Sequence, residues 1–303
     1  MPEPKIVILG EALIDLVCEA PVERFAQARR FTAHFGGAAA NVAMTIAARG
    51  GSVSLVGGVG DDDWGRWLIE RMRAADVGLD AFVLSPGVRT PHAFVTVSAD
   101  GEPHFDFHGE SLAPGLTSVG AALQTEVVSG GALYLTSNTL TAPDERALTM
   151  RARELALDGG VRLVVDANFR LGRWAEPAEG IAATVASLPG AFLLKANAEE
   201  ARLLGGDDDP VRAATNLVAS GIEHVVVTLG AEGVVAVADG RVERCAGVAA
   251  RAVNTTGAGD TFLGTLLTGL ASAGFDGAAL PGLLPAAVEA SARAIERWGA
   301  IDD

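Results

Sequence analysis

RLVVD at 162–166, FLLK at 192–195 and HVVVTL at 224–229 are three short apolar runs, spaced about thirty residues apart and separated by segments of helical pattern. None of the three alternates apolar with polar residues, as a strand exposed on one face would. Strands of that kind belong in a parallel sheet covered on both sides by helices. Earlier in the chain the same rhythm gives IVIL at 6–9, VSLV at 53–56 and ALYL at 132–135. Repeated βαβ units define an α/β fold, a doubly wound and mainly parallel sheet flanked by helices, whose ligands gather at the carboxyl ends of the strands. With no linker or second repeat in 303 residues, one domain spanning 1–303 is the expected organisation.

Two segments depart from this rhythm. ALIDLV at 12–17 and HAFVTVSADGEPHFDFHG at 92–109 read as strands with period two, and Asp100-Gly101 is a hairpin turn signal. No helix follows to cover them, so about 11–34 and 89–110 are expected to form an antiparallel lid over the ligand edge. Thr261 to Val288 carries one charge, Asp276, but its glycines with Pro281 and Pro285 favour two buried helices over one membrane span.

Acidic residues outnumber basic ones 38 to 23, a net charge of −15 that repels nucleic acid and anionic membranes. Lys5 and Lys195 are the only lysines, so a bound phosphate would fall to arginine or backbone amides. Cys18 and Cys245 read as buried thiols of a reducing compartment. The apolar run before Glu11 is too short for a signal peptide, which places the protein in the cytoplasm.

No Walker A loop, nucleophile elbow or zinc-protease motif occurs. His104, Asp106 and His108 share one strand face, where three ligands in a hairpin read better as a solvated surface than as a metal site. The most informative segment is Val253-Asn254-Thr255-Thr256-Gly257-Ala258-Gly259-Asp260-Thr261-Phe262, directly before a helical pattern. Helix N-termini leave N–H groups unpaired, and a glycine-rich entry lets a phosphoryl group approach them closely. Thr and Asp are also ordinary cap and first-turn residues.

This segment resembles the carboxyl-terminal signature of the PfkB/ribokinase family of carbohydrate kinases, D-T-x-G-A-G-D, with Asn254 in place of its first Asp. Phe35 to Ala43 (FGGAAANVA) resembles the family's amino-terminal glycine signature. Similarity also runs through Gly10 to Asp15, Val59 to Asp62, Asp166 to Arg170, Asn197 to Glu200 and Thr228 to Gly230.

The resemblance implies an ATP-dependent sugar kinase in which Asp260 takes the proton of the acceptor hydroxyl and Gly257, Ala258 and Gly259 form the anion hole. It implies that Asp15, Gly36, Gly37 and Asn41 hold sugar hydroxyls, with Arg170 beside them where a strand end meets phosphate. Thr228 and Gly230 would contact the nucleotide, as would Asn197 and Glu200, with Glu200 reaching Mg²⁺ through water. The Asn197–Glu200 spacing is equally that of a helix capping box. Asn254 removes a carboxylate from the family's monovalent-cation site, so little activation by potassium is expected. Gly10 to Asp15 resembles fructokinases, which makes fructose the first choice of acceptor. No arginine lies between Thr90 and Glu145 to meet the acid of 2-keto-3-deoxygluconate. A nucleoside kinase would use Phe94, Phe105 and Phe107 to stack a base. A sugar-binding protein that has lost catalysis is the non-enzymatic alternative. The lid strands, each exposing one face, are expected to find cover in a homodimer.

Overall fold

The computed structural model describes residues 3–109 and 111–301. Glu110, the last residue of the expected lid, and the two residues at each end of the 1–303 span lie outside them. Among the described residues thirteen strands form two sheets: β1 (Ile6–Leu9), β2 (Leu13–Val17), β3 (Thr32–Gly36), β4 (Val53–Gly60), β5 (Phe82–Ser85), β6 (His92–Val97), β7 (Pro103–His108), β8 (Ala132–Thr136), β9 (Arg162–Asp166), β10 (Leu193–Asn197), β11 (His224–Thr228), β12 (Gly233–Ala238) and β13 (Arg241–Ala246). The large sheet has the order β13-β12-β11-β10-β9-β8-β1-β4-β5 and is parallel from β11 to β5. Its other edge, β12 and β13, is antiparallel and closed by Asp239-Gly240, both at positive φ. That dipeptide is itself a hairpin signal, and it could have located the pair.

Alternate residues of each parallel strand feed two cores. Ile6, Ile8, Val164, Leu193 and Val226 pack on one face, and Val7, Leu9, Val165, Leu194 and Val227 on the other. The first face is covered by α1 (Ala38–Ala48), α2 (Asp63–Ala74), α8 (Ala258–Ser272) and α9 (Leu280–Ala294). Between α2 and α8 the chain forms α3 (Ala122–Ser129), α4 (Pro143–Asp158), α5 (Pro177–Ser187), α6 (Ala198–Gly205) and α7 (Pro210–Ala219), and residues of α3, α4, α6 and α7 contribute to the second face. The apolar stretch after Thr261 is thus two helices, but only α8 is largely buried, since α9 exposes Gly282, Pro285, Ala286 and Glu289, and no helix among the described residues is long and apolar enough to cross a membrane.

The small sheet has the order β3-β2-β6-β7. The Asp100-Gly101 hairpin forms as the sequence predicts, but β2 pairs with β6 in parallel, so the sheet is mixed rather than antiparallel. Gly36 ends β3, and α1 begins at Ala38, three residues before Asn41. Cys18 is buried and Cys245 only half-buried on the edge strand, and both are free thiols.

Candidate active site

At the carboxyl ends of β9, β10 and β11 the parallel strands meet the first turns of α1 and α8 and the inner face of the small sheet. A cleft of about 840 Å³ opens there. Asp15, Gly37, Asn41, Arg170, Asn197, Glu200, Thr228, Gly230, Gly257, Ala258, Gly259 and Asp260 all line it. Gly36 does not: it stands behind Asp15, where a Cβ would fall 2.4 Å from the Asp15 carboxyl. Its absent side chain makes room for that carboxylate rather than for a ligand.

Gly257 precedes α8 at φ 78°, and a Cβ there would lie 2.3 Å from the Cβ of Ala300, so conformation and space both require glycine. The Ala258 N–H donates to the Thr255 carbonyl at 3.2 Å. The N–H groups of Gly259 and Asp260, in the first turn, have no acceptor within the helix. Asp260 accepts from Asn41 Nδ2 at 2.8 Å, which ties the first turns of α1 and α8 together. Removal from water pushes its carboxyl above the usual range, against the pull of the Asn41 hydrogen bond, Lys195 and Arg170. A carboxylate so placed is a stronger base than a free one.

Asp15 is 4% exposed, and burial, aided by the charges of Asp260 and Glu11, pushes it up to about 8. Among the described residues Arg170 has no ion-pair partner within salt-bridge distance. Its guanidinium lies 5.3 Å from the centre of the Phe105 ring on β7, and Nη1 donates to the Phe169 carbonyl. Asn197 and Glu200 do make the capping box of α6: Asn197 Oδ1 accepts from the Glu200 N–H at 2.9 Å and Glu200 Oε2 from the Asn197 N–H at 2.7 Å. Glu200 Oε1 accepts from the Phe169 N–H, so this one carboxylate also fixes the loop that carries Arg170.

Glu11, Asn138, Asn168 and Lys195 also line the cleft, without a role assigned from the sequence. Glu11, fully buried, accepts from the Ala38 N–H at 3.0 Å and from Asn138 Nδ2 at 2.8 Å, and burial raises its carboxyl. Asn138 and Asn168 present buried polar atoms without a partner, and Asn168 sits at φ 37°. Lys195 corrects the expectation that only arginine and amides could meet a phosphate, because its ammonium lies in the cleft beside Gly259. Lysine closing the apolar run FLLK at 192–195 was the available signal, since the carboxyl ends of such strands face the ligand.

The hairpin turn of the small sheet touches the loop before α8: the Gly101 carbonyl accepts from the N–H and Oγ1 of Thr255 at 3.0 and 3.2 Å. Phe105 and Phe107 line the cleft, whereas Phe94 faces Phe31, His92 and His108 on the opposite side of the sheet. His104, Asp106 and His108 are exposed, and no metal-binding group of three or more His, Cys, Asp or Glu exists among the described residues.

A parallel α/β sheet whose glycine-opened helix presents free amides beside a carboxylate is the framework of a phosphotransferase acting on an alcohol. The chain belongs to the pfkB family of carbohydrate kinases, whose sequence pattern matches residues 3–303. It is 34% identical over 267 residues to Fructokinase-1 of Oryza sativa subsp. japonica, covering 86% of this chain and 81% of that one. A double mutant of the fructokinase from Vibrio cholerae O395, solved with fructose, ADP and potassium ion bound, superposes with a TM-score of 0.85 at 26% identity, covering 99% and 95% of the two chains. Aminoimidazole riboside kinase from Salmonella enterica, complexed with aminoimidazole riboside and an ATP analogue, gives a TM-score of 0.77 at 25% identity, with 98% and 95% covered.

Proposed function

We propose that this carbohydrate kinase transfers the γ-phosphoryl group of ATP to a primary hydroxyl of fructose. The observation that carries the reading is the Asn41–Asp260 pair, which holds a base of raised pKa at the free amides of α8 and facing Asp15. Asp15, Asn41, Asn138 and Glu11 offer the acceptors and donors that a neutral polyol needs. Gly37 lets α1 start against them, since a Cβ at its φ of 97° would lie 2.7 Å from the Glu11 carbonyl oxygen. Asp260 takes the hydroxyl proton as the new O–P bond forms, and the Gly257–Gly259 turn receives the charge of the transferring group. Thr228, Gly230 and Asn197 line the side of the cleft assigned to the nucleotide, while Arg170, whose charge reaches Glu11, Asp15 and Asp260, stands with the acceptor-binding residues.

The donor set suits magnesium carried in with the nucleotide rather than caged by protein. Glu200 accepts two backbone N–H groups and has capacity left for a metal-bound water, and no group of three or more His, Cys, Asp or Glu forms a cage there among the described residues. Bound there, Mg²⁺ would neutralise phosphate charge. Potassium is a poorer fit: Asn254 is fully buried, and its Oδ1 already accepts from the N–H and Oγ1 of Thr256 at 2.9 and 2.7 Å. An amide so engaged supplies no charge and little free oxygen for a cation.

The reading extends to a single domain with the small sheet as its lid, working in the cytoplasm as a homodimer. On the outer side of that sheet Phe31, Phe94, His92 and His108 pack on one another, and the second copy would cover this face. Light scattering at micromolar concentration should give twice 30.9 kDa, and a mass near 30.9 kDa removes the dimer.

A riboside acceptor is the second reading, favoured by the Phe105 and Phe107 rings on the cleft wall. A panel of fructose, 2-keto-3-deoxygluconate and nucleosides, assayed with Mg-ATP for ADP release, separates the two. The proposal expects fructose to give the highest kcat/KM. A nucleoside at least tenfold better would overturn it, and release independent of any acceptor would remove sugar phosphorylation altogether.

A further inference from the structure

Lys195 and Asp166 are lateral neighbours in the register of β10 and β9, and both side chains leave the sheet on the face covered by α8. Lys195 Nζ donates to Asp166 Oδ1 at 3.0 Å, with the lysine side chain 7% exposed and the aspartate fully buried. As a closed structural ion pair this arrangement is poor. Asp166 Oδ2 is buried without a partner, and Asp166 is the only hydrogen-bond acceptor of the ammonium among the described residues. Two of the three ammonium N–H groups are therefore uncommitted, in a residue that lines the cleft.

Their location gives them a use. A Cβ on Gly259 would lie 2.9 Å from Nζ, so the ammonium stands directly over the first turn of α8, beside the unpaired amides. Burial alone would lower the lysine pKa, but the carboxylates of Asp166, Glu200 and Asp260 outweigh it and keep the ammonium charged. In a chain with only one other lysine and a net charge of −15, a buried cation at this point requires a reason.

The geometry points to Lys195 as a catalytic residue, its ammonium held by Asp166 to meet a non-bridging oxygen of the phosphoryl group in transit. The inference rests on the kinase reading above. As transfer proceeds, the sugar O–P bond forms and the bond to ADP breaks with its electron pair left on the ADP β-phosphate. The hydroxyl proton goes to Asp260, and Lys195 keeps all three of its protons. The contribution is electrostatic: a fixed charge aimed where negative charge lies during transfer. Gly259 is then glycine because of the lysine.

The test separates this role from a structural one by removing both charges together. In Lys195→Met/Asp166→Asn both members of the ion pair go together, so neither is left as an unpaired buried charge. The expected result is a far-UV spectrum like that of the wild type and a fructose KM within about threefold, with kcat lower by roughly 10²-fold or more. Affinity for Mg-ADP with aluminium fluoride, a mimic of the transferring group, should fall at least tenfold while affinity for Mg-ADP alone stays within threefold. Turnover and aluminium fluoride affinity within threefold of wild type would overturn the proposal. Should the double variant fail to fold, Lys195→Ala decides. Turnover raised tenfold by ethylammonium but not by tetramethylammonium supports the role, and an equal response to both, or none, overturns it. A wild type without fructose-dependent turnover would instead remove the kinase reading.

Discussion

The two ends of the cleft use opposite chemistry. The end assigned to the sugar is lined by buried acids: Glu11, Asp15 and Asp260 all have their carboxyls raised by removal from water, and Asp15 and Glu11 each feel the charge of Asp260. The end assigned to the nucleotide consists of turns and helix starts, with Thr228, Gly230 and the Asn197–Glu200 cap held in place by backbone hydrogen bonds. Lys195 and the α8 amides lie at the junction. A neutral polyol is matched by buried acids, and a polyanion by fixed donors. The contrast teaches that a chain of net charge −15 can bind a triphosphate by placing very few cations well.

Removing the base at the junction should have the largest effect. Asp260→Asn keeps the bond to Asn41 within reach but cannot accept a proton, so kcat should fall by roughly 10²–10⁴-fold with nucleotide affinity retained. Single-turnover kinetics beside a thermal melt read both, and near-wild-type turnover would break the assignment.

Asp15 tests the acid end alone. With its carboxyl near 8, kcat/KM for the sugar should rise with pH through that value as the carboxylate forms, and Asp15→Asn should flatten the profile and cost about tenfold at pH 9. A profile unchanged by the substitution would assign the titration elsewhere.

Asn254 tests whether the junction needs a mobile cation. Less than tenfold stimulation of the wild type by millimolar potassium is expected at constant ionic strength, with tetramethylammonium as the exchange ion. Asn254→Asp should gain stimulation, because a carboxylate supplies the charge that the amide lacks.

The smallest effect is on stability. A carboxyl whose pKa is higher in the folded than in the unfolded protein stabilises the fold at pH values below its unfolded value and loses that contribution as pH rises through its folded one. For Asp15 the window runs from 3.8 to about 8. The ligand-free Asp15→Asn protein should therefore melt about 5 °C higher than wild type at pH 9 and at nearly the same temperature at pH 4. Equal melting at both pH values would contradict the raised pKa.

The strands that carry these groups were legible because burial on both faces leaves apolar runs, and RLVVD at 162–166 coincides with β9. Asp260 and the glycines before it were legible because chemistry and spacing fall within one continuous segment. Lys195 was not: its meaning depends on Asp166, twenty-nine residues away in sequence and adjacent only through strand register. Glu11 was quoted within a motif without a role, because only the fold brings it under the Ala38 N–H and beside Asn138. Gly36 was assigned to the ligand when its work is to let Asp15 lie against the chain, a distinction of packing that spacing does not encode. The mixed pairing of the small sheet was hidden for a similar reason, since parallel and antiparallel neighbours share one alternation of side chains.

The central claim is that the acid end and the donor end act together to move one phosphoryl group onto a sugar. Following the wild-type enzyme with fructose and Mg-ATP by ³¹P NMR tests it most directly. The account expects one sugar phosphomonoester for each ADP formed, with no ADP when fructose is left out. Inorganic phosphate in place of the ester, or ADP formed at the same rate without fructose, would contradict it.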